Sequence, residues 1–294
     1  MGGYGFGYGF WRHRTPSFIG PLDGLGPLYA LPGPHRSLSS YTGLCWRVRR
    51  SIDAGEEDIG FTPDGWVDKD WLLAVAGGGS LTVIRDYDKA GQGHDLVQLS
   101  SGSQPRCVLN GVVDVGPNGH PVLVYDGIND YMDVHDSAGF SRNQAALTYA
   151  GVVRNTTTGA ILYYPVNAGV GSVRGYIGFS PGATAPLLQT RSTDVAANTS
   201  VAGAAITSGT WNRLIGRGRY AAGGADISVN GAVVANNTLT PAQNTPDANQ
   251  AANVRIGAAT FGGAYLTGAM STVVLAQASL DMAALEAALA KIMP

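Results

Sequence analysis

Carboxylates are the residues in this chain best suited to do chemistry, and they are unevenly spread. The sequence has three glutamates, Glu56, Glu57 and Glu286, and its densest aspartate group is Asp130, Asp133 and Asp136. Glycoside hydrolysis needs a carboxyl pair, about 5 to 5.5 Å apart in retaining enzymes and about 6.5 to 9.5 Å in inverting ones. No glutamate stands between positions 57 and 286, so aspartates would have to serve, and aspartates at strand ends more often cap turns. The histidines at 13, 35, 94, 120 and 135 lack H-x-x-x-H spacing, and Cys45 and Cys107 lack C-x-x-C spacing, so neither set forms a zinc pattern. Each cysteine sits in an apolar run, which predicts two buried free thiols rather than a disulfide.

Composition narrows the frame that must position these groups. At 294 residues, 45% hydrophobic and 14% charged, the chain can bury a large core as one unit. A formal charge of -2 supplies no field to hold nucleic acid. No apolar run nears the roughly 20 residues of a membrane-crossing helix, and the start lacks the basic-then-apolar order of a secretion signal. Neither a nucleic-acid partner nor membrane insertion is expected.

From Leu38 onward short apolar or alternating runs recur, among them LTVIRDY at 81–87, PVLVYDG at 121–127, AALTYAGVVR at 145–154, WNRLIGR at 211–217 and ADISVNGAVV at 225–234. Gly, Asn, Pro, Ser and Thr clusters separate them and mark turns. The pattern predicts an all-β sandwich, because the helical crossovers of an α/β fold are missing. Asn230 and Gly231 tolerate the positive φ of a type I′ hairpin. Two helices are predicted: one over 67–75, capped by Asp68 or Asp70, and one over 279–294, capped by Asp281, with Leu285, Leu289 and Ile292 on one stripe. In SYTGLCWRVRRSIDAGEEDIGF, residues 40–61, Leu44, Trp46 and Val48 alternate with Arg47 and Arg49. That predicts an edge strand with a solvated face, its arginines available to Glu56, Glu57 or Asp58.

Residues 1–37 differ in kind. A Gly-aromatic repeat, GYGFGYGFW, leads into a stretch dense in Pro and Gly, a composition that builds no core of its own. Tyr4, Phe6, Tyr8, Phe10 and Trp11 are aromatic anchors of the kind that dominate interfaces. The segment is therefore predicted as an extended arm docked on a partner, with residues 38–294 forming the sandwich.

Tyr41, Thr42, Gly43, Asp58, Ile59, Tyr87, Asp88, Gly91, Gly93, Leu96 and Gln98 stand in an order that resembles the start of the α-L-arabinofuranosidase B catalytic domain. The resemblance implies a concanavalin A-like jelly-roll sandwich with a short C-terminal helix. The same block is similar to one in tailed-phage and prophage structural proteins, which carry a Gly-aromatic leader and a laminin-G-like sandwich. LVYDGINDYMDV, 123–134, and the closing stretch YLTGAMSTVVLAQASLDMAALEAALAKI resemble strands and the last helix of those domains.

Taken together, these features lead to the expectation of a virion structural protein without enzymatic activity. Its arm would dock to other virion proteins, a homotrimer would supply avidity, and the sandwich would meet a host-surface glycan from the particle surface. The glycan contacts expected are Arg217, Arg219, Tyr220 and Tyr265, with Tyr163, Tyr164, Tyr176, Phe179 and Trp211 as further exposed-aromatic candidates. No cofactor is expected. The one alternative is calcium, which laminin-G-like domains hold, with Asp126, Asn129 and Asp130 supplying oxygens. The alternative function implied by the resemblance is a glycoside hydrolase of the arabinofuranosidase type.

Overall fold

The computed structural model describes residues 18–156, 159–165, 173–179, 184–193, 196–245, 253–259 and 265–293. The first half contributes β1 (Trp46–Arg50), β2 (Glu56–Ile59), α1 (Lys69–Ala76), β3 (Leu81–Asp86), β4 (Leu96–Val97), β5 (Arg106–Leu109), β6 (Val112–Val113), β7 (Leu123–Asp126), β8 (Met132–Val134) and β9 (Leu147–Asn155). The second half contributes β10 (Gly159–Pro165), β11 (Val173–Phe179), β12 (Pro186–Thr190), β13 (Thr199–Ala202), β14 (Trp211–Arg219), β15 (Gly224–Val229), β16 (Ala232–Thr238), β17 (Arg255–Ile256), β18 (Thr267–Ala276) and α2 (Met282–Ile292).

Two antiparallel branches leave β3. One runs β3–β5–β7–β18–β9–β14–β15–β16, and the other runs β3–β4–β8–β17–β10–β11–β12–β13. The fork is local: Leu81 and Thr82 of β3 pair with β5, whereas Arg85 and Asp86 pair with β4. The branches then face each other, and a Cβ placed on Gly216 of β14 would meet Ile177 of β11 and Leu188 of β12. This is the predicted sandwich, and its core holds Ile177, Leu188, Val201, Leu214 and Ile227.

Period-2 alternation explains why β9 reads as a continuous apolar run. Leu147, Tyr149 and Val153 point into the sandwich core, while Ala150 and Val152 face a second apolar layer. That layer is α2, through Leu285, Leu289 and Ile292, together with Leu22, Leu28 and Leu31 from the N-terminal side. The sheet is thus covered on both faces, which an alternating amphipathic strand could not tolerate.

Both helices start where the sequence says. Asp68 accepts a hydrogen bond from Trp71 N, and Asp281 accepts from Ala283 N and Ala284 N, the contact that makes aspartate a good N-cap. The Asn230–Gly231 turn has φ of 50° and 86°, as a type I′ hairpin requires. Cys45 and Cys107 are free and buried.

Two expectations change. β1 is not an edge strand: it lies between β2 and β3, and the second of these, beyond α1 in sequence, is invisible to local alternation. Arg47 and Arg49 do pair as expected, Arg47 with Glu56 and Asp58 and Arg49 with Glu56, whereas Arg50, expected on the same acids, pairs with Asp53. These exposed pairs contribute about 0 to 1 kcal/mol each. The arm was expected over 1–37, but residues 18–37 belong to the body of the sandwich. Ala30 bridges Leu275 of β18, His35 bridges Trp66, and the Asp23 carboxylate accepts from Gly20 N and Ser39 N. Tyr4, Phe6, Tyr8, Phe10 and Trp11 lie outside the described residues.

Candidate active site

At the end of β7 the chain makes a tight turn that carries two carboxyls. Asp126, exposed, closes the strand, and Asp130, 7% exposed, leads into β8. The turn is reciprocal. Asp126 Oδ1 accepts from Ile128 N at 2.8 Å, Asn129 N at 3.1 Å and Asp130 N at 3.4 Å, and Asp126 N donates to Asp130 Oδ2 at 3.0 Å. Aspartate folds such turns readily because its short side chain reaches its own backbone two residues on.

The two carboxyls have unlike surroundings. Burial raises the Asp130 pKa from 3.8 to about 7, the nearby Asp126 charge adding to the effect while the Asp126 N–H and Arg106 oppose it. Near neutrality Asp130 is therefore half protonated, the condition a general acid needs. Arg106 is itself held by Asp114, through two bonds of 2.8 and 3.1 Å. On the next strand Arg255 lies 3.8 Å over the Tyr131 ring and pairs with Asp133 at 2.8 and 3.1 Å. Asp133 is thereby committed to a salt bridge, and Asp136 lies beyond the far end of β8. Of the expected aspartate group only Asp130 joins the pair. Its partner, Asp126, entered the sequence reading only as a calcium ligand.

The glutamates are elsewhere. Glu56 is bound by Arg47 and Arg49, Glu57 is exposed on β2, and Glu286 of α2 accepts from Arg213 at 2.6 Å. Among the described residues no three His, Cys, Asp or Glu side chains gather as a metal site, and no helix is long and apolar enough to cross a membrane. Asn129 and the two aspartates of the expected calcium set share one turn, but Asp126 Oδ1 is taken by backbone N–H groups. One G-x-S-x-G spacing occurs, at Gly178–Gly182. Its serine lies outside the described residues, and the next element is the strand β12, not the helix of a nucleophile elbow.

The residues expected to touch glycan are dispersed. Tyr220 has no exposed surface, and its hydroxyl is shared with Tyr149 at 2.9 Å and Thr190 at 2.8 Å. Arg217 binds Asp226 at 3.1 and 3.2 Å and the Leu280 carbonyl at 3.1 Å, pinning β14 to the start of α2. Arg219 shares the Asp226 Oδ2 with Arg217, at 2.9 Å. Tyr265, half-buried, bridges Ala258 just after β17, away from the 217–220 stretch in sequence. Tyr176 and Phe179 are buried in β11, Trp211 is half-buried beneath Arg154, and the side chains of Tyr163 and Tyr164 are outside the described set.

The block that carried the family resemblance is scaffolding. Tyr87 donates to Asp58 at 2.8 Å, and Asp88 accepts from Leu31 N, Ala90 N and Gln92 N at 2.8 to 2.9 Å. Gln98 donates to the Tyr131 carbonyl at 3.3 Å, beside the aspartate turn.

No protein-family model and no curated protein matches the sequence. Solved structures do. An arabinofuranosidase complexed with arabinofuranosyl-α-1,2-xylobiose superposes with a TM-score of 0.67 at 13% identity, covering 93% of this chain and 65% of that one. A GH54 α-L-arabinofuranosidase soaked with a cyclic sulfate inhibitor gives 0.66 at 14% identity, over 93% and 66%. The same values hold for a GH54 mutant soaked with 4-nitrophenyl α-L-arabinofuranoside. At such identity the likeness establishes the arabinofuranosidase sandwich fold, and this chain spans about two thirds of the length of those structures. The likeness runs to glycoside hydrolases. It overturns the expectation of a non-enzymatic virion subunit, which rested on the Gly-aromatic leader and on a sandwich block common to both groups.

Proposed function

We propose that this chain is a glycoside hydrolase of the arabinofuranosidase type, acting on a glycan that bears arabinofuranose. The observation that carries the reading is the likeness over 93% of the chain to arabinofuranosidase structures. With no glutamate between Glu57 and Glu286, the carboxyls fall to aspartates, and the Asp126–Asp130 turn holds two in contrasting environments.

In this reading Asp130 gives its proton to the glycosidic oxygen as the bond to the anomeric carbon breaks. Asp126 bonds to that carbon from the opposite face. Water, losing a proton to Asp130, then displaces Asp126 and frees the sugar. This two-step course retains the anomeric configuration.

The test is release of nitrophenolate from 4-nitrophenyl α-L-arabinofuranoside and of arabinose from an arabinosylated xylobiose. Asp126→Asn abolishes both. Asp130→Asn slows the xylobiose substrate by about 10²-fold or more, and the nitrophenyl substrate less, because nitrophenolate leaves without a proton. Absence of turnover by the unaltered chain on either substrate, or full activity in Asp126→Asn, would end the proposal.

A further inference from the structure

A cleft of about 590 Å³ opens at the other end of β8 from the aspartate turn. Four stretches distant in sequence build it: the turn at 26–29 with Leu38, the β3–β4 loop through Gln92 and His94, Gln144 before β9, and Gln277 after β18. Among the described residues its polar side chains are Tyr29, Gln92, His94, Gln144 and Gln277, and no Asp, Glu, Lys or Arg of that set lines it.

Each polar group is half committed to the protein. His94 Nδ1 lies 3.1 Å from the His135 carbonyl. A carbonyl only accepts, so Nδ1 carries the hydrogen, and in the neutral ring Nε2 is left as an acceptor. Gln277 Nε2 donates to the Phe140 carbonyl at 2.9 Å, and Gln144 Nε2 donates to the Arg142 carbonyl at 2.6 Å. Each amide thus keeps its oxygen and a second N–H for a ligand. Tyr29 stacks on His94 at 3.9 Å and 11° and packs against Phe140 on another side. The imidazole is therefore held rigid, and little entropy is lost when a ligand binds it.

A wall of amide oxygens, amide hydrogens and one imidazole nitrogen, with Pro27, Leu28 and Leu38 beside it, fits one chemistry best. Hydroxyl groups both donate and accept, and a sugar ring adds an apolar C–H face. An anion would find no described cation here, and an apolar ligand would strand five polar side chains. The volume lies within the range of small-molecule sites. We propose that this cleft is a second carbohydrate site that takes a neutral oligosaccharide, separate from the aspartate turn. The choice of sugar used to probe it rests on the hydrolase reading, but the site itself does not.

The experiment is calorimetric titration of arabinofuranosyl-α-1,2-xylobiose into the full chain carrying Asp126→Asn, so that turnover does not enter. Saturable binding is expected. Adding Gln92→Ala and Gln277→Ala, both at exposed positions, weakens it about tenfold, with the melting temperature unchanged. Adding Gln144→Ala alone weakens it in the same direction. Affinity undiminished in both variants, or no heat of binding before substitution, overturns the site. Failure of the unaltered chain to hydrolyse the sugar would end the hydrolase reading and leave this one standing.

Discussion

Lys89 and Asp86 form an ion pair from which water is excluded on both sides, their side chains being 0% and 1% exposed. Lys89 Nζ also donates to the Cys45 carbonyl at 3.2 Å, and Lys89 N donates to the Leu31 carbonyl. With Asp88 accepting from Leu31 N at 2.8 Å, the stretch after β3 fastens the N-terminal segment to the approach of β1. The polar groups here sit in the middle of the core because they join three pieces of backbone.

Lys89→Met tests that role. It leaves the Asp86 carboxyl buried without its partner, which costs about 3 to 5 kcal/mol. Chemical denaturation measures the loss. A variant as stable as the parent would show that the pair holds nothing together.

The Asp130 pKa predicts how stability follows pH. With a folded value of about 7 against an ordinary value of 3.8, the native state keeps a proton that the unfolded chain gives up. The contribution is whole below about pH 4 and is lost as pH rises through 7. Denaturation midpoints at pH 5 and pH 8 therefore differ more in the parent than in Asp130→Asn. Equal pH dependence in the two proteins contradicts the shift.

On the hydrolase proposal, the same proton sets the upper limb of the activity profile. Hydrolysis of the xylobiose substrate falls above about pH 7, as Asp130 loses the proton it must donate. A plateau extending to pH 9 would place the acid elsewhere.

Burial pushes both thiols well above the ordinary cysteine range, and the thiolate is the reactive form. A thiol reagent is expected to label neither Cys45 nor Cys107 in the native protein and both after unfolding. Rapid native labelling at either position would contradict the packing.

Gly257 has φ 87°, and a Cβ there would lie 2.3 Å from Cε1 of the buried Tyr125 ring. Gly257→Ala combines a strained backbone with overpacking, a loss of about 2 kcal/mol or more. Tyr125 immediately precedes Asp126, so hydrolysis should fall along with the melting temperature. Retention of both would mean that the ring moves freely.

What was legible from the residues is what is local. Asp68 and Asp281 cap their helices, and Asn230–Gly231 turns its hairpin, because each motif works within four positions of chain. Tyr220 was misjudged for the opposite reason. Arginine and glycine neighbours make its stretch look like an exposed loop, yet Thr190 and Tyr149 reach its hydroxyl from 30 and 71 positions away. Asp130 was visible as one of a group, but its burial and its bond to Asp126 N were not. The cleft left no trace in the sequence, since its four stretches share no spacing.

The bridge between Ala30 and Leu275 also bears on synthesis. Residues near the start of the described chain rest on the last strand, and α2, which follows it, completes the same apolar layer. A nascent chain emerging from the ribosome therefore holds Leu22, Leu28 and Leu31 without their complete layer until β18 and α2 have been made. Pairing across such long separations is slow to form. Until then the segment keeps apolar surface exposed, a hazard for aggregation.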